Sequence, residues 1–134
     1  MIFNFVILGN PEDPKGNPVP YKRTTQASKW SPEYQKYVMW KAHVQKAFAK
    51  KRLVSERQAD NLNFLKHGKP LDFGKKKINV TVMISFVNDH HGDPDNVLKG
   101  INDALFVNDK YVACSVDFIR ATDGQGMVAV TIEV

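Results

Sequence analysis

Residues 78–109, INVTVMISFVNDHHGDPDNVLKGINDALFVND, change from the pattern of a β-strand to the pattern of an α-helix. As far as Phe86, apolar residues alternate with other residues, which predicts a strand with one strongly apolar face. Asp93, Pro94 and Asp95 then supply an N-cap, a first helical residue and a first-turn acid. The stretch therefore predicts a strand that runs through a short loop directly into a helix.

The predicted helix carries two different stripes of side chains. Its apolar residues recur at helical spacing and are Val97, Leu98, Ile101, Ala104 and Leu105. Asn96, Lys99 and Asp103 share a separate, polar stripe. Capping and the helix dipole account for the two acids at the start of the helix, but they require neither Lys99 nor the Asp109 that follows it.

The rest of the chain predicts three more strands and one more helix. The strands are residues 1–8, 111–119 and 127–134, with a turn at Asp123 and Gly124 before the last one. Ser31, Pro32 and Glu33 repeat the capping arrangement and open a helix over residues 31–52. Its predicted apolar face consists of Tyr34, Tyr37, Val38, Val44 and Phe48. Residues 1–134 are thus predicted to form a single α+β domain of order β-α-β-α-β-β, with helices packed against a mixed sheet.

Two segments show no clear strand or helix pattern. Residues 10–30 form a long basic loop that places Tyr21 and Trp30 among cations, which suits contact with DNA phosphates and stacking on bases. The residues predicted to contact DNA are Lys15, Lys22, Arg23 and Lys29. A flexible surface loop without a ligand is an equal alternative. Residues 53–75 carry only the pattern of one short helix, with Ser55 and Gln58 as a capping box.

The distribution of charge is more informative than the net charge of +5. Residues 15–52 contain ten Lys and Arg against the single acid Glu33, whereas residues 89–109 contain five Asp against Lys99 alone. A basic protein with one acidic patch fits a polyanionic partner and a bound cation, although scattered lysines are also typical of an ordinary solvated surface.

Other features limit the class of protein. No run approaches the roughly 18 apolar residues of a membrane helix, and residues 1–8 lack the basic start and cleavage site of a signal peptide, so a cytoplasmic protein is expected. The single cysteine, Cys114, excludes an internal disulfide and a thiolate zinc cluster. It is predicted to be a buried strand residue.

Three acids are candidates for a metal site. Asp93 and Asp95 follow one predicted strand and Asp109 precedes the next, so they are expected to converge at one edge of the sheet if those strands are neighbours. Such carboxylates repel one another unless a cation holds them, and oxygen ligands without cysteine favour Mg²⁺, with Mn²⁺ as an alternative. A calcium-binding EF-hand loop is excluded, because neither register of these acids has glycine at its sixth position and glutamate at its twelfth.

The remaining polar residues are assigned by position along the helix. Lys99 lies one turn into the helix. It is expected either to contact a DNA phosphate held by the metal ion or to form an ion pair with Asp95. Asp103 lies about 12 Å along the axis from Asp95, too far to share the coordination shell of a small ion. Asn96 and Asp103 are therefore predicted to support the metal ligands rather than to bind the ion.

The motif Asp93-Pro94-Asp95-Asn96-Val97-Leu98-Lys99, followed by Asp103-Ala104-Leu105 and Asn108-Asp109, closely resembles that of the RusA family of Holliday junction resolvases. The resemblance implies a homodimeric, Mg²⁺-dependent endonuclease that makes paired nicks in four-way DNA junctions during recombination and repair. It implies catalytic roles for Asp93, Asp95, Asp109 and Lys99. It also implies that residues 53–75 are an insertion.

Two other functions remain open from the sequence. The first is a DNA-binding module without catalytic activity, whose aspartates only cap a helix and balance charge. The second is a metal nuclease with the same site that acts on flaps, single strands or other branched DNA.

Overall fold

The computed structural model describes residues 2–23, 30–52 and 71–134. The elements are β1 (Ile2–Leu8), α1 (Pro32–Arg52), β2 (Ile78–Phe86), α2 (Pro94–Leu105), β3 (Val112–Arg120) and β4 (Met127–Glu133). The predicted α+β class and the order β-α-β-α-β-β are confirmed. Most of the predicted insertion, residues 53–70, lies outside the described residues, as does Lys29.

The four strands form one mixed sheet in the order β1-β4-β2-β3. β2 and β3 are parallel, whereas β4 pairs antiparallel with both β1 and β2. A parallel pair needs a long crossover connection, and α2 is that connection. β4 does not pair with β3, which precedes it, because the chain turns at Gly124 (φ +72°) and returns on the other side of β2.

The alternation predicted for β2 is present in the structure. The buried side chains of this strand are Ile78, Val80, Val82, Ile84, Ser85 and Phe86. Alternate residues of β1 and β4 are buried on the same face, and both helices contribute to the same core. The gain from this burial drives the packing of both helices onto one side of the sheet.

The buried face of α1 differs from the prediction in two residues. Val38 is 39% exposed, whereas Trp40, which the pattern missed, is completely buried. The core positions of this helix are Tyr37, Trp40, Val44 and Phe48. Successive helical residues are rotated by about 100°, so Val38 lies a quarter-turn away from a face centred on Tyr37 and Val44, whereas Trp40 lies on it.

β3 corrects the prediction that Cys114 is buried, because the cysteine is exposed. Phe118 and Ile119 are also more than half exposed, at 52% and 53%. β3 pairs with β2 along one side only, and within the described residues no strand pairs with its other side. The helices cover the middle of the sheet better than this edge, although the Asn102 amide still donates to the Cys114 sulfur at 3.1 Å.

No described helix combines the length and the apolar character needed to cross a membrane.

The two helices are joined by polar contacts as well as by the core. The buried Tyr37 hydroxyl donates to Asp103 Oδ2 at 2.6 Å, and Lys41 Nζ lies 3.5 Å from the same oxygen. Gln45 of α1 also donates to the Ala104 carbonyl at 2.9 Å. Burial, and then the hydrogen bond and charge of Asp103, raise the pKa of Tyr37 well above its ordinary value.

We predict that Tyr37→Phe lowers the free energy of unfolding by about 1.5 kcal/mol at pH 7, because a buried hydroxyl loses its bond to a carboxylate. Since the pKa of Tyr37 is raised in the folded state, the unfolded chain releases this proton first, above about pH 10. The contribution of Tyr37 is therefore complete below that pH and is lost progressively above it.

Urea unfolding of the wild type and Tyr37→Phe between pH 7 and 11 checks this expectation. The difference between the two free energies should shrink above pH 10. A difference that stays constant up to pH 11 contradicts the raised pKa, and no difference at pH 7 contradicts the stabilising role of the hydrogen bond.

Candidate active site at the start of helix α2

Asp93 caps α2 as predicted. Its backbone is non-helical (φ −59°, ψ 134°), and its Oδ1 accepts a hydrogen bond from the Asp95 amide at 2.9 Å. Pro94 occupies the start of the helix, where its missing N–H costs nothing. Both Asp93 and Asp95 are exposed, and a carboxylate has room for several partners. The cap therefore leaves carboxylate oxygens free for a cation at the end of the helix.

The loop before the helix is held by a residue that the sequence analysis did not identify. Asn17 donates to Asn88 Oδ1 at 2.9 Å and to the His90 carbonyl at 3.0 Å, and it accepts from the Val87 amide at 2.7 Å. Asn17 lies in a Pro- and Gly-rich loop with no local pattern, so only long-range contacts reveal its role. These bonds fix the path of the chain from β2 towards Asp93.

Packing fixes the same loop at two other points. The His91 ring stacks on Phe86 with centroids 3.6 Å apart and planes within 9° of parallel. Gly92 lies against Pro20, so closely that an added Cβ would stand 2.6 Å from the proline side chain. The entrance to α2 is therefore braced both by β2 and by the loop over residues 10–23.

Lys99 points at an aromatic ring rather than at Asp95. Its Nζ lies 4.3 Å from the centroid of the Tyr21 ring, which is cation–π distance. The ion pairs in the described part of the chain do not include one between Lys99 and Asp95. The purely structural role considered for Lys99 is thus not present, and the residue follows Asp95 by about one helical turn.

Asn96 and Asp103 are found in different surroundings. The Asn96 side chain is exposed, and its carbonyl accepts a hydrogen bond from the Tyr21 amide at 2.9 Å. Asp103 accepts from Tyr37 and pairs with Lys41, so it fastens α2 to α1. Asn96 thus contacts the segment that carries Tyr21, whereas Asp103 contacts α1.

Asp109 lies at the other end of the helix from Asp93 and Asp95. It precedes β3, whose first residue pairs with Ile78, the first residue of β2. The twelve residues of α2, about 18 Å at 1.5 Å per residue, separate the two ends. The expected convergence of three acids within one chain is therefore wrong. The prediction assumed that the end of β2 lies beside the start of β3. Because the two strands are parallel, their starts lie side by side, and the start of β3 is far from the end of β2.

The three carboxylates predicted to bind a metal ion are consequently not brought together within one chain. Among the described residues, no three or more His, Cys, Asp or Glu side chains lie together as a possible metal site. Asp93 and Asp95 offer the hard oxygen ligands that suit Mg²⁺, which commonly binds through one or two carboxylates, waters and substrate phosphates. The residues present fit Mg²⁺ as such a partial site.

A cleft of about 770 Å³ leads up to this site. Most of residues 10–22, the start of α1 and residues 88–92 line it, and the lining includes Gly92, the residue before Asp93. Two lysines, Lys22 and Lys36, line it, and Lys36 pairs with Glu12 at 3.9 Å. The lining also contains four acids: Glu12, Asp13, Glu33 and Asp89. The exposed Lys15 and Arg23 belong to the same basic loop. The cleft thus carries both signs of charge.

Comparison of the chain with protein-family models and with curated proteins found no match in either case.

The cap at Asp93 predicts that asparagine can replace the aspartate without loss of stability. Asn caps helices about as well as Asp does, so Asp93→Asn should change the free energy of unfolding by less than about 0.5 kcal/mol, whereas Asp93→Ala should lower it by about 1 kcal/mol. Urea unfolding of both variants measures the two effects. Equal losses in the two variants would show that the negative charge, rather than the capping hydrogen bond, stabilises the helix.

Proposed function

We propose that this protein is a Mg²⁺-dependent endonuclease that resolves four-way DNA junctions by paired nicks, acting in the cytoplasm in recombination and repair. The observation that carries the proposal is the start of α2. Two exposed carboxylates stand there with Lys99 further along the same helix, and a cleft lined by both lysines and acids reaches Gly92, the residue before them. The resemblance of this motif to the RusA family supports the choice of substrate.

Asp93 and Asp95 would hold the cation and Lys99 would contact the scissile phosphate. The chemistry that Mg²⁺ supplies when bound is activation of water and neutralisation of charge on the phosphate. The amino end of α2 adds its own positive field, which favours a phosphate at this position. Lys22 and Arg23 would contact the DNA backbone nearby, which positions the strand without reading its sequence.

A second copy of the chain would complete the acid set. Asp109 lies too far from Asp93 and Asp95 to join them within one protomer, but a two-fold axis brings opposite ends of an element together. In this dimer, each site contains Asp93 and Asp95 of one protomer and Asp109 of the partner subunit. Two such sites also provide the two nicks that resolve a junction.

Edge-to-edge pairing of two β3 strands fits this requirement. An antiparallel pair across a two-fold axis would place the start of one β3 next to the end of the other. The Arg120–Asp89 ion pair already places that end beside the loop that leads to Asp93. Two strand spacings of about 4.8 Å would then separate β2 from the partner's β3.

Incubation with synthetic DNA substrates and Mg²⁺ tests the proposed activity. We expect paired nicks in four-way junctions in preference to flaps, duplexes and single strands. Asp95→Asn should slow cleavage by about 100- to 1000-fold, because loss of a metal ligand removes several kcal/mol of transition-state stabilisation. Glu133→Gln, at an exposed acid of β4, which β2 separates from β3, is the matched control and should cleave at the wild-type rate.

The outcomes separate the three functions. Preference for a flap or single strand would replace the substrate while keeping the site. Salt-sensitive binding that needs no divalent cation, together with no cleavage of any substrate, would favour the non-catalytic DNA-binding module. Equal cleavage by Asp95→Asn and the wild type would exclude the proposed site.

Mixing two inactive variants tests whether the site is shared between protomers. Asp95→Asn and Asp109→Asn should each fail to cleave as homodimers. A heterodimer of the two retains one intact site, formed by Asp93 and Asp95 of one chain and Asp109 of the other. Co-refolded mixtures should therefore recover nicking of a single strand of the junction, but not paired resolution.

Gel analysis of a junction labelled on each strand in turn reads out this result. No recovery in a mixture that has formed heterodimers, as shown with two different tags, would exclude the shared site. Full activity of Asp109→Asn alone would exclude Asp109 as a ligand.

A further inference from the structure

We propose that Tyr21 is a positioning residue that holds the Lys99 ammonium in place for the DNA phosphate. The inference rests on the proposed function, in which Lys99 contacts the scissile phosphate. The lysine side chain is a flexible four-carbon stem that ends in a point charge, so its position depends on what it touches. The Tyr21 ring provides that contact, with its centroid 4.3 Å from Nζ.

The backbone of Tyr21 is fixed to the same turn of α2 that carries Lys99. The Tyr21 amide donates to the Asn96 carbonyl at 2.9 Å. Gly100 lies against the same two tyrosines, since a Cβ there would stand 3.4 Å from the Tyr21 nitrogen and 3.3 Å from the Tyr37 ring. Asn96 therefore contacts Tyr21 through its carbonyl, and Lys99 contacts the same tyrosine through its ammonium.

The Tyr21 ring is supported in turn by α1. It meets the Tyr37 ring edge-on, with centroids 5.5 Å apart and planes at 76°. Tyr37 is buried and held by its hydrogen bond to Asp103. A continuous series of contacts thus runs from Asp103 through Tyr37 and Tyr21 to Lys99. Rotation of the Tyr21 ring would break its contacts with both Lys99 and Tyr37.

This arrangement changes the role expected of Tyr21. The sequence pattern suggested that aromatic residues of the basic loop stack on DNA bases, but the Tyr21 ring already contacts Lys99 and Tyr37. Its neighbours Lys22 and Arg23 remain at the surface, half-buried and exposed. One short segment therefore places two cations towards DNA while its tyrosine orients a third cation on α2.

Two substitutions distinguish the contribution of the aromatic ring of Tyr21 from that of its hydroxyl. Tyr21→Phe keeps the aromatic face, whereas Tyr21→Leu removes it with a similar apolar volume. We expect Tyr21→Leu to lower the single-turnover cleavage rate of a four-way junction by about three- to tenfold, the size of one cation–π contact, with junction affinity within about twofold of wild type. Tyr21→Phe should restore the wild-type rate.

A double-mutant cycle distinguishes positioning of Lys99 from a general structural effect. If Tyr21 acts through Lys99, adding Tyr21→Leu to Lys99→Ala should cause no further loss of cleavage rate. An equal loss in the presence and absence of Lys99 would overturn the proposal. So would a wild-type rate in Tyr21→Leu.

A spectroscopic measurement tests the contact without any cleavage. Protons above an aromatic face are shifted upfield, so the Lys99 CεH₂ signal, assigned by its loss in Lys99→Arg, should lie upfield in the wild type and Tyr21→Phe. It should return to the ordinary lysine position in Tyr21→Leu. An ordinary position in the wild type overturns the proposal. An upfield signal in a protein that cleaves no DNA would retain the contact and reject the nuclease function.

Discussion

The parallel pairing of β2 and β3 is the constraint on which the rest of the structure depends. Two consecutive parallel strands cannot be joined by a tight turn, so the chain must return along the whole length of the sheet. α2 makes that return, and its apolar stripe is what packs it onto the sheet. The start of α2 therefore lies near the end of β2, and the end of α2 lies near the start of β3, at the opposite ends of the two strands. Every acidic residue of the motif is placed by this one connection.

In the proposed nuclease, the start of α2 would combine structural and chemical roles in the same atoms. A helix begins with unsatisfied N–H groups and a positive field, which Asp93 satisfies through its hydrogen bond to the Asp95 amide. The same field favours a second acid in the first turn and a phosphate beyond it. Helix stability and metal chemistry therefore select the same residue types here, and only variants such as asparagine, which cap without a charge, distinguish the two.

Local patterns predicted the elements of the fold because the relevant physics is local. Alternation in β2 and capping at Ser31 and Asp93 depend on neighbours within a few residues, and the structure contains each of them. The predicted burial of Cys114 was wrong for a different reason. A strand pattern does not show whether a helix covers the strand, and β3 lies at the edge, beyond the well-covered middle of the sheet.

The site was less predictable than the fold because it depends on strand direction and on distant loops. The motif identified Asp93, Asp95 and Lys99 at one end of α2, but the position of Asp109 required knowing that β2 and β3 are parallel. Asn17 and Tyr21 carry no motif at all. Their roles arise from contacts with residues 70 or more positions away along the chain.

The separation of the acids has an energetic consequence for the proposed dimer. Three carboxylates brought together in each folded monomer would repel one another until a cation arrived, and the fold would bear that cost. In the described structure, Asp109 is about a helix length away, so folding of one chain does not require the metal. The repulsion would instead arise when two chains associate, where the cation and the DNA phosphates can balance it. Formation of the active site would then be coupled to association of two chains and to the metal rather than to folding, which is suitable for an enzyme that must cut two strands together.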